Sequence, residues 1–485
     1  MSLGSNAVFG VKILGHTLYV LTGRQNVATI RKHKGNITDP GVHEFCLTRV
    51  FGVGQKAVNV YSSDNSGIQT KPAAASSVAP HNRVDYHTHK TFLKIFSGEG
   101  LNTMFKRWHV SFSRRLDDLR IENQWTEGPD LEGFWMPSLV ASLNEAIAGP
   151  VLESVNPMFT KNFMEFYPYA HSLMRGLPKW LIPRAIHLRN TLMRDFSTWH
   201  SIARAFFQDS DIEEDNTDRW WGLSAIRDRQ RLFSKVDNWD HSTLASLDFG
   251  LLWGANLNSH MAAIWMIIEI YKDANLLERV RGELSTMTTA PSERTQWIEE
   301  LGKLPLLQSI YAEVLRLRTG VQTVFRDNRN DLQVNDWCFP KKSLIIVPTM
   351  DAHHDSTYWN TKNGLHPTNR FWSDRFLAYP GDPSSGPSRE VDPTIRMGAG
   401  QQGPRYVSAS SSDAWIPYGV GERACPGRHF ARREMLAFCA IIVENFDIEL
   451  PLLSKHGYVP ANNTFYGLGV LRPKTSIPFR IKRRS

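Results

Sequence analysis

Apolar and β-branched residues flank Gly15-His16 between Phe9 and Leu21 (FGVKILGHTLYVL), a pattern that predicts two strands joined at that turn. From about residue 85 to 320 apolar positions recur at helical spacing. Arg114 to Glu122 carries its charges on one face there, and Phe196 to Phe207 is amphipathic. Between them Gly176-Leu-Pro-Lys-Trp-Leu-Ile-Pro183 breaks the helical pattern and predicts an apolar surface loop. The longest helical pattern runs from Asp240 to Asp273, apolar through its middle, which predicts one long helix buried through the core. Val334 to Pro348 returns to strand at Leu344-Ile-Ile-Val347, and two loops rich in Gly, Pro and Ser follow, Tyr379 to Asp392 and Met397 to Ser412. A last helix is expected over about Gly427 to Asn445, then a closing hairpin from Gly469-Val-Leu-Arg and Ile477-Pro-Phe-Arg-Ile. No segment repeats. The pattern describes one mainly α unit with a small β-rich region formed by the N-terminal and 320–350 strands; 85–320 and 427–445 are mainly helical.

Length alone, 485 residues against a prior of roughly 150 per domain, would suggest about three domains, but one enzyme-sized core exceeds that prior readily. With 41 % hydrophobic and 21 % charged residues the chain is neither disordered nor fibrous. Its 15 Trp, 25 Phe and 13 Tyr suit the walls of an apolar ligand site as well as packing. Four cysteines, Cys46, Cys338, Cys425 and Cys439, form no disulfide framework, which points to a reducing compartment. The net charge of +8 is scattered, without zinc-finger spacing or an RNA-binding signature, so nucleic acid is not expected as a partner. Apolar runs such as Leu436 to Val443 fall far short of the ~20 residues of a membrane span, and the start lacks a signal peptide's charged and apolar regions.

Chemistry concentrates in Pro417-Tyr-Gly-Val-Gly-Glu-Arg-Ala-Cys-Pro-Gly-Arg428. Gly419 and Gly421 precede Cys425, and Pro-Gly427 follows it at the mouth of a helix. Backbone N–H groups and the positive helix end would lower the thiol pKa and favour a metal-bound sulfur. Arg423 could pair with an anionic group of the same ligand. The residues alone also allow a buried structural cysteine, a cysteine nucleophile, or a zinc pair with His429 that lacks further ligands.

The string Tyr418-x-x-Gly421-x-Arg423-x-Cys425-x-Gly427 resembles the heme-binding signature of the cytochrome P-450 superfamily, with Tyr418 in place of the usual Phe. Glu313-Val-Leu-Arg316 matches that family's E-x-x-R helix, acid and guanidinium sharing a face. Phe371-Trp-Ser-Asp-Arg375-Phe376 matches its F-x-P-E-R-F segment, with Ser373 for Pro and Asp374 for Glu. The resemblance implies a cytochrome P-450 fold with heme b (iron protoporphyrin IX) between the long central helix and the cysteine loop. It implies that Cys425 ligates the iron, that Glu313, Arg316 and Arg375 form a buried network, and that Arg326 reaches a heme propionate. A thiolate ligand favours O–O cleavage. Cys46, Cys338 and Cys439 match nothing functional.

The long helix departs from the family, which usually writes A/G-G-x-D/E-T there. Setting Gly254-Ala255 on the small pair puts Leu257 at the acid and Asn258 at the threonine. Leu247, Leu251, Gly254, Asn258 and Ala262 then share one stripe. Asn258 either bonds the preceding turn or acts in catalysis with Ser259, water or the substrate; Asn256 projects elsewhere. The Leu-Trp-small-small-x-x-Asn pattern and the 176–183 loop are similar to the branch holding sterol 7-alpha- and 12-alpha-hydroxylases and prostacyclin synthase. The family's W-x-x-x-R heme contact is interrupted: Trp108 is followed by Phe112, and Arg107 and His109 either approach a propionate or lie on a solvated helix face.

The leading functional expectation is a monooxygenase hydroxylating a lipophilic molecule (sterol, terpenoid or related secondary metabolite) with dioxygen and electrons from an NADPH-dependent flavoprotein reductase. An electron-independent isomerase or dehydratase, prompted by Leu257 and Asn258, is the alternative, and a heme protein without turnover a third. Arg428, Arg432 and Arg433 either receive the acidic reductase or are a solvated helix start. The 176–183 loop is either a membrane-facing substrate entrance or packs between helices. Because family members in eukaryotes usually begin with an anchor helix, the resemblance implies an enzyme of the cytosolic face of the endoplasmic reticulum, represented here by a soluble form without its anchor.

Overall fold

In the computed structural model, residues 6–13, 16–32, 40–325, 331–390, 403–453 and 457–484 are described. The N-terminal hairpin forms as expected, Val8–Ile13 antiparallel to His16–Leu21 with Val8 opposite Leu21. Its second strand lies parallel to Leu344–Pro348, which pairs antiparallel with Thr319–Phe325. Leu468–Val470 completes this five-stranded sheet at the far edge of Thr319–Phe325. The expected hairpin at the end of the chain does not form. Phe479–Arg483 instead pairs with Phe446–Glu449 and Thr126–Gly128 in a separate sheet. Pro473 and Pro478 lie between the two strands, and proline contributes no N–H to a ladder.

Helices fill most of the rest. Pro183–Phe206, 24 residues with Pro183 in its first turn, is the longest among the described residues. The Asp240–Asp273 pattern is not one helix but two, His241–Ala255 and Asn258–Tyr271. Leu257 between them has φ 67° and ψ −53°, and the Asn258 N–H reaches the Asn256 carbonyl at 2.7 Å. That is a γ-turn with its central residue at positive φ, a strained conformation for leucine. Two things hold it. The Asn256 amide donates to the Leu252 carbonyl at 2.7 Å and to Asn144 Oδ1 at 2.9 Å, capping the first helix. The Leu257 side chain is buried in the main core. The second helix is buried from Ser259 to Tyr271, and its Trp265 Nε1 donates to the Leu471 carbonyl at 2.7 Å. Helix Arg428–Asn445, with Gly427 as its N-cap, packs against it, and the buried His260 Nε2 and Glu434 Oε1 meet across that contact at 2.9 Å.

Glu313, Arg316 and Arg375 are all fully buried. Arg316 donates to both Glu313 oxygens at 2.7 and 2.9 Å, and Arg375 Nε to both at 3.0 and 3.1 Å. The remaining Arg375 N–H groups reach the carbonyls of Asn360, His366, Pro367 and Arg370. Burial opposes ionisation of Glu313, but the two guanidinium groups outweigh it and hold its carboxyl below the ordinary value. Glu313→Ala leaves two guanidinium groups without their anion and should cost about 3–5 kcal/mol in denaturant unfolding. Since the folded-state pKa is depressed, Glu313's contribution is present above about pH 4.3 and is lost as pH falls below it. Acid titration of the variant should accordingly be flatter than that of the parent protein.

Candidate functional site

The cysteine loop is built by its glycines. Gly419 and Gly421 have φ of 74° and 81°, which lets the chain double back so that the Cys425 N–H meets the Tyr418 carbonyl at 2.9 Å. Helix Pro305–Arg318 holds the loop from behind. Tyr311 and Tyr418 hydroxyls meet at 2.8 Å, and Trp415 Nε1 donates to the Ala312 carbonyl at 3.0 Å. The Ile416 N–H donates to His353 Nε2 at 3.0 Å, while the His353 carbonyl accepts from Arg316 at 2.6 Å. Burial first, then the Arg316 charge, push the His353 pKa well below its usual value, which keeps Nε2 an acceptor.

Cys425 opens onto a cavity of 640 Å³. Phe51, Phe92, Phe96, Leu251, Trp253 and Phe325 supply apolar wall, and the helix break supplies Gly254, Ala255, Asn256, Asn258 and Ser259. Tyr418, Gly419, Arg423 and Gly427 line it as well, so these expected site residues are brought together. Burial raises the Cys425 thiol pKa; the N–H groups of Gly427 and Arg428 and the Arg428 charge oppose this. The expected net lowering is therefore not found, because desolvation of the sulfur outweighs its donors. Those donors still favour an anionic sulfur over an unassisted one. A Cβ built at Gly254 would meet nothing within 4 Å, so there is open space at that wall. A sulfur with backbone donors, a large apolar hollow and a wall of small residues fit a heme.

Several expected contacts are elsewhere. Arg423 lines the cavity, but its guanidinium is paired with both oxygens of Asp85, Nη1 to Oδ1 at 2.9 Å, rather than left for a ligand anion. Arg326 lies outside the described residues. Trp108 is fully buried and stacks on Phe112 at 5.4 Å. Arg107 donates to the Ala146 carbonyl and Thr217 Oγ1, and the buried His109 packs against Trp297, burial pushing its pKa down to about 4. Both are committed to helix packing, so neither a propionate contact nor a solvated face describes them. Cys338 is exposed, Cys439 is buried, and burial raises Cys46 to about 11. Among the described residues no three His, Cys, Asp or Glu side chains could together hold a metal ion, so Cys425 and His429 gain no zinc partners. Of the arginine cluster, Arg428 is exposed, Arg432 turns inward to the Gly302 carbonyl and Gln308, and Arg433 bonds Asn102.

The Asn258 side chain does not bond the preceding turn. Its Oδ1 accepts from the Val470 N–H at 3.0 Å, across 212 positions of sequence. Thr319, Gln322 and Thr323 line the cavity from the sheet and were not singled out by the sequence; Thr-Gly-Val-Gln-Thr-Val-Phe reads as an ordinary strand.

A sequence model of the cytochrome P450 family matches residues 150–479. The chain belongs to the cytochrome P450 family. Cytochrome P450 monooxygenase efuG of Hormonema carpetanum is 33 % identical over 83 % of this chain and 72 % of its own length. Cytochrome P450 monooxygenase fsoE of Humicola fuscoatra is 32 % identical over 83 % and 71 %. The expected sterol branch matches more weakly, with a 12-alpha-hydroxylase of Oryctolagus cuniculus 27 % identical over 48 % of this chain and 44 % of that protein. The crystal structure of a cytochrome P450 (CYP102L1) superposes with a TM-score of 0.63 at 16 % identity over 98 % of this chain and 91 % of that one, which establishes the fold. This P450 is thus a heme-thiolate monooxygenase, as expected, and its cofactor is heme. P450 enzymes generally take lipophilic substrates and electrons from a redox partner.

A Cβ at Gly469 would sit 1.9 Å from Asn258 Oδ1, whereas one at Gly254 meets nothing. Gly469→Ala should destabilise the P450 by about 1–3 kcal/mol through this overlap. Gly254→Ala should be neutral or slightly stabilising in thermal unfolding, since alanine favours helix.

Proposed function

We propose that this P450 hydroxylates a lipophilic small molecule of sterol or terpenoid size, with dioxygen and electrons from an NADPH-dependent flavoprotein reductase. The observation that carries this reading is the 640 Å³ apolar cavity, with the Cys425 sulfur and the small-residue wall of the helix break both facing it. Cys425 holds the iron, and the Gly427 and Arg428 N–H groups stabilise its sulfur as an anion. When bound, heme supplies the oxygen activation that no side chain can. The phenylalanines and Trp253 exclude water and orient the apolar body of the substrate. Asn258 positions, and Ser259 Oγ, buried and without a protein partner, holds a proton beside the break. Arg428, with Arg433 beside it, presents positive charge to the reductase.

A second reading, isomerisation or dehydration without external electrons, is favoured by one feature. Leu257 stands where the family writes an acid, and the Asn258 oxygen is taken by Val470, so no carboxyl at the break delivers a proton. The two readings separate in reconstitution. Heme-loaded protein reduced under carbon monoxide should show a thiolate Soret band that Cys425→Ser abolishes, and product should form only with reductase and NADPH. Product formed without either would establish the second reading instead.

The native enzyme is read as associated with the cytosolic face of the endoplasmic reticulum. Among the described residues no helix is long and apolar enough to cross a membrane. The 176–183 loop supports a peripheral contact, because Trp180 and Leu181 are 77 % and 53 % exposed on a short turn at Lys179–Leu181. A loop packed between helices would bury them. Replacing both by serine should reduce cosedimentation with phosphatidylcholine–phosphatidylserine vesicles by about tenfold or more, each large apolar side chain contributing on the order of 1.5–3 kcal/mol when buried. The carbon monoxide spectrum should not change.

A further inference from the structure

One corner of the cavity is polar, and three separate segments build it. Asn258 comes from the helix break, Val470 from the closing strand, and Thr319 stands opposite Val470 in the sheet register. Of the two ends of an amide only the oxygen accepts, so the Val470 N–H fixes the Asn258 amide with Oδ1 toward the strand. The Nδ2 group is left as the free end, and among the described residues no acceptor bonds it. Asn258 is exposed, and the surface it exposes lines the cavity. Gly469 leaves room for the amide by lacking a Cβ, since any side chain there would collide with it. Ser259, next to it in sequence, and Thr319 and Thr323 on the Thr319–Phe325 strand also line the cavity, each with a buried hydroxyl that has no partner among the described residues. Native structures rarely leave such groups unpaired when buried, so they point to a polar atom of a ligand. Phe51, Phe92, Phe96 and Leu251 line other parts of the cavity with hydrocarbon, and Gln322 and Tyr418 line it as well.

We infer that the substrate is a lipophile already carrying a carbonyl or hydroxyl oxygen, which accepts a hydrogen bond from Asn258 Nδ2 in this corner. Asn258 is then a positioning residue for an oxygenated substrate, and its locked amide can donate there but cannot relay a proton. An earlier oxygenation or hydration must supply that substrate. The inference rests on the monooxygenase reading and deepens it.

The test is a Soret titration of heme-loaded protein with matched pairs of lipophiles, nootkatone against valencene and androstanone against androstane. Wild type should bind the oxygenated member of each pair at least about tenfold tighter, the worth of one well-formed hydrogen bond in a desolvated site. Asn258→Leu removes donor and acceptor, while Asn258→Asp, ionised, keeps the acceptor for Val470 and puts an acceptor oxygen where the donor was. Both should abolish the preference, whereas a merely structural role would weaken both members alike and leave their ratio intact. The thiolate carbon monoxide band shows which variants are folded. Wild type that does not discriminate, whether both members bind alike or neither binds, overturns the inference, as does a preference that survives in a folded variant. Loss of the thiolate band in the wild type itself would instead defeat the underlying heme-thiolate reading.

Discussion

The buried carboxylate of Glu313 is the contact on which the cysteine loop depends. Its two arginines point in different directions: Arg375 gathers the carbonyls of the 360–370 segment, and Arg316 reaches the His353 carbonyl. His353 then turns its ring to accept the Ile416 N–H, one residue before the loop begins. An imidazolium could not accept that bond; burial first keeps the ring neutral, and Arg316 both adds to that through its charge and holds the His353 carbonyl. The position of the sulfur is thereby set jointly, the loop's glycines shaping the turn and an ion cluster buried in the fold helping to fix where it sits.

A charged cluster is an expensive way to hold a loop if stability alone is considered, since apolar residues of similar volume often serve as well. Its advantage here is directional. The guanidinium groups reach carbonyls of separate segments, and every nitrogen of Arg375 has a partner, which dispersion contacts could not specify.

What the sequence made legible follows from how local each feature is. Cys425, Gly421 and Glu313–Arg316 were readable because their geometry is written within a few residues of one another. The helix break was not. Both halves of Asp240–Asp273 are buried, so the apolar pattern runs through the junction without a change of period, and Gly254, in the last turn of the first helix, reads as a small residue of one continuous helix. The signal lay in Asn-Leu-Asn, where an amide competes for a helical carbonyl, but that competition is decided by Asn144 on another helix. Arg107 and His109 failed for the converse reason: polar residues on a helix read as surface, and here they meet neighbouring elements. The closing strands looked like a hairpin because strand pattern carries no information on partner choice, apart from the prolines that forbid the nearest one.

The helix break and the closing strand also define each other. Asn258 does not merely line the cavity; its oxygen satisfies a strand N–H that sits at the edge of the sheet. A threonine at this position, with a shorter and differently aimed hydroxyl, would leave Val470 unpaired and would present a group that can both donate and accept. Asparagine instead divides its groups between two atoms, the oxygen serving the fold and the nitrogen left without a partner among the described residues. Gly469 is the condition for that division, and Leu257, held at positive φ by its burial, brings the amide into reach. The polar chemistry of this cavity is therefore a tertiary property, created where a strained turn meets a strand some two hundred residues away.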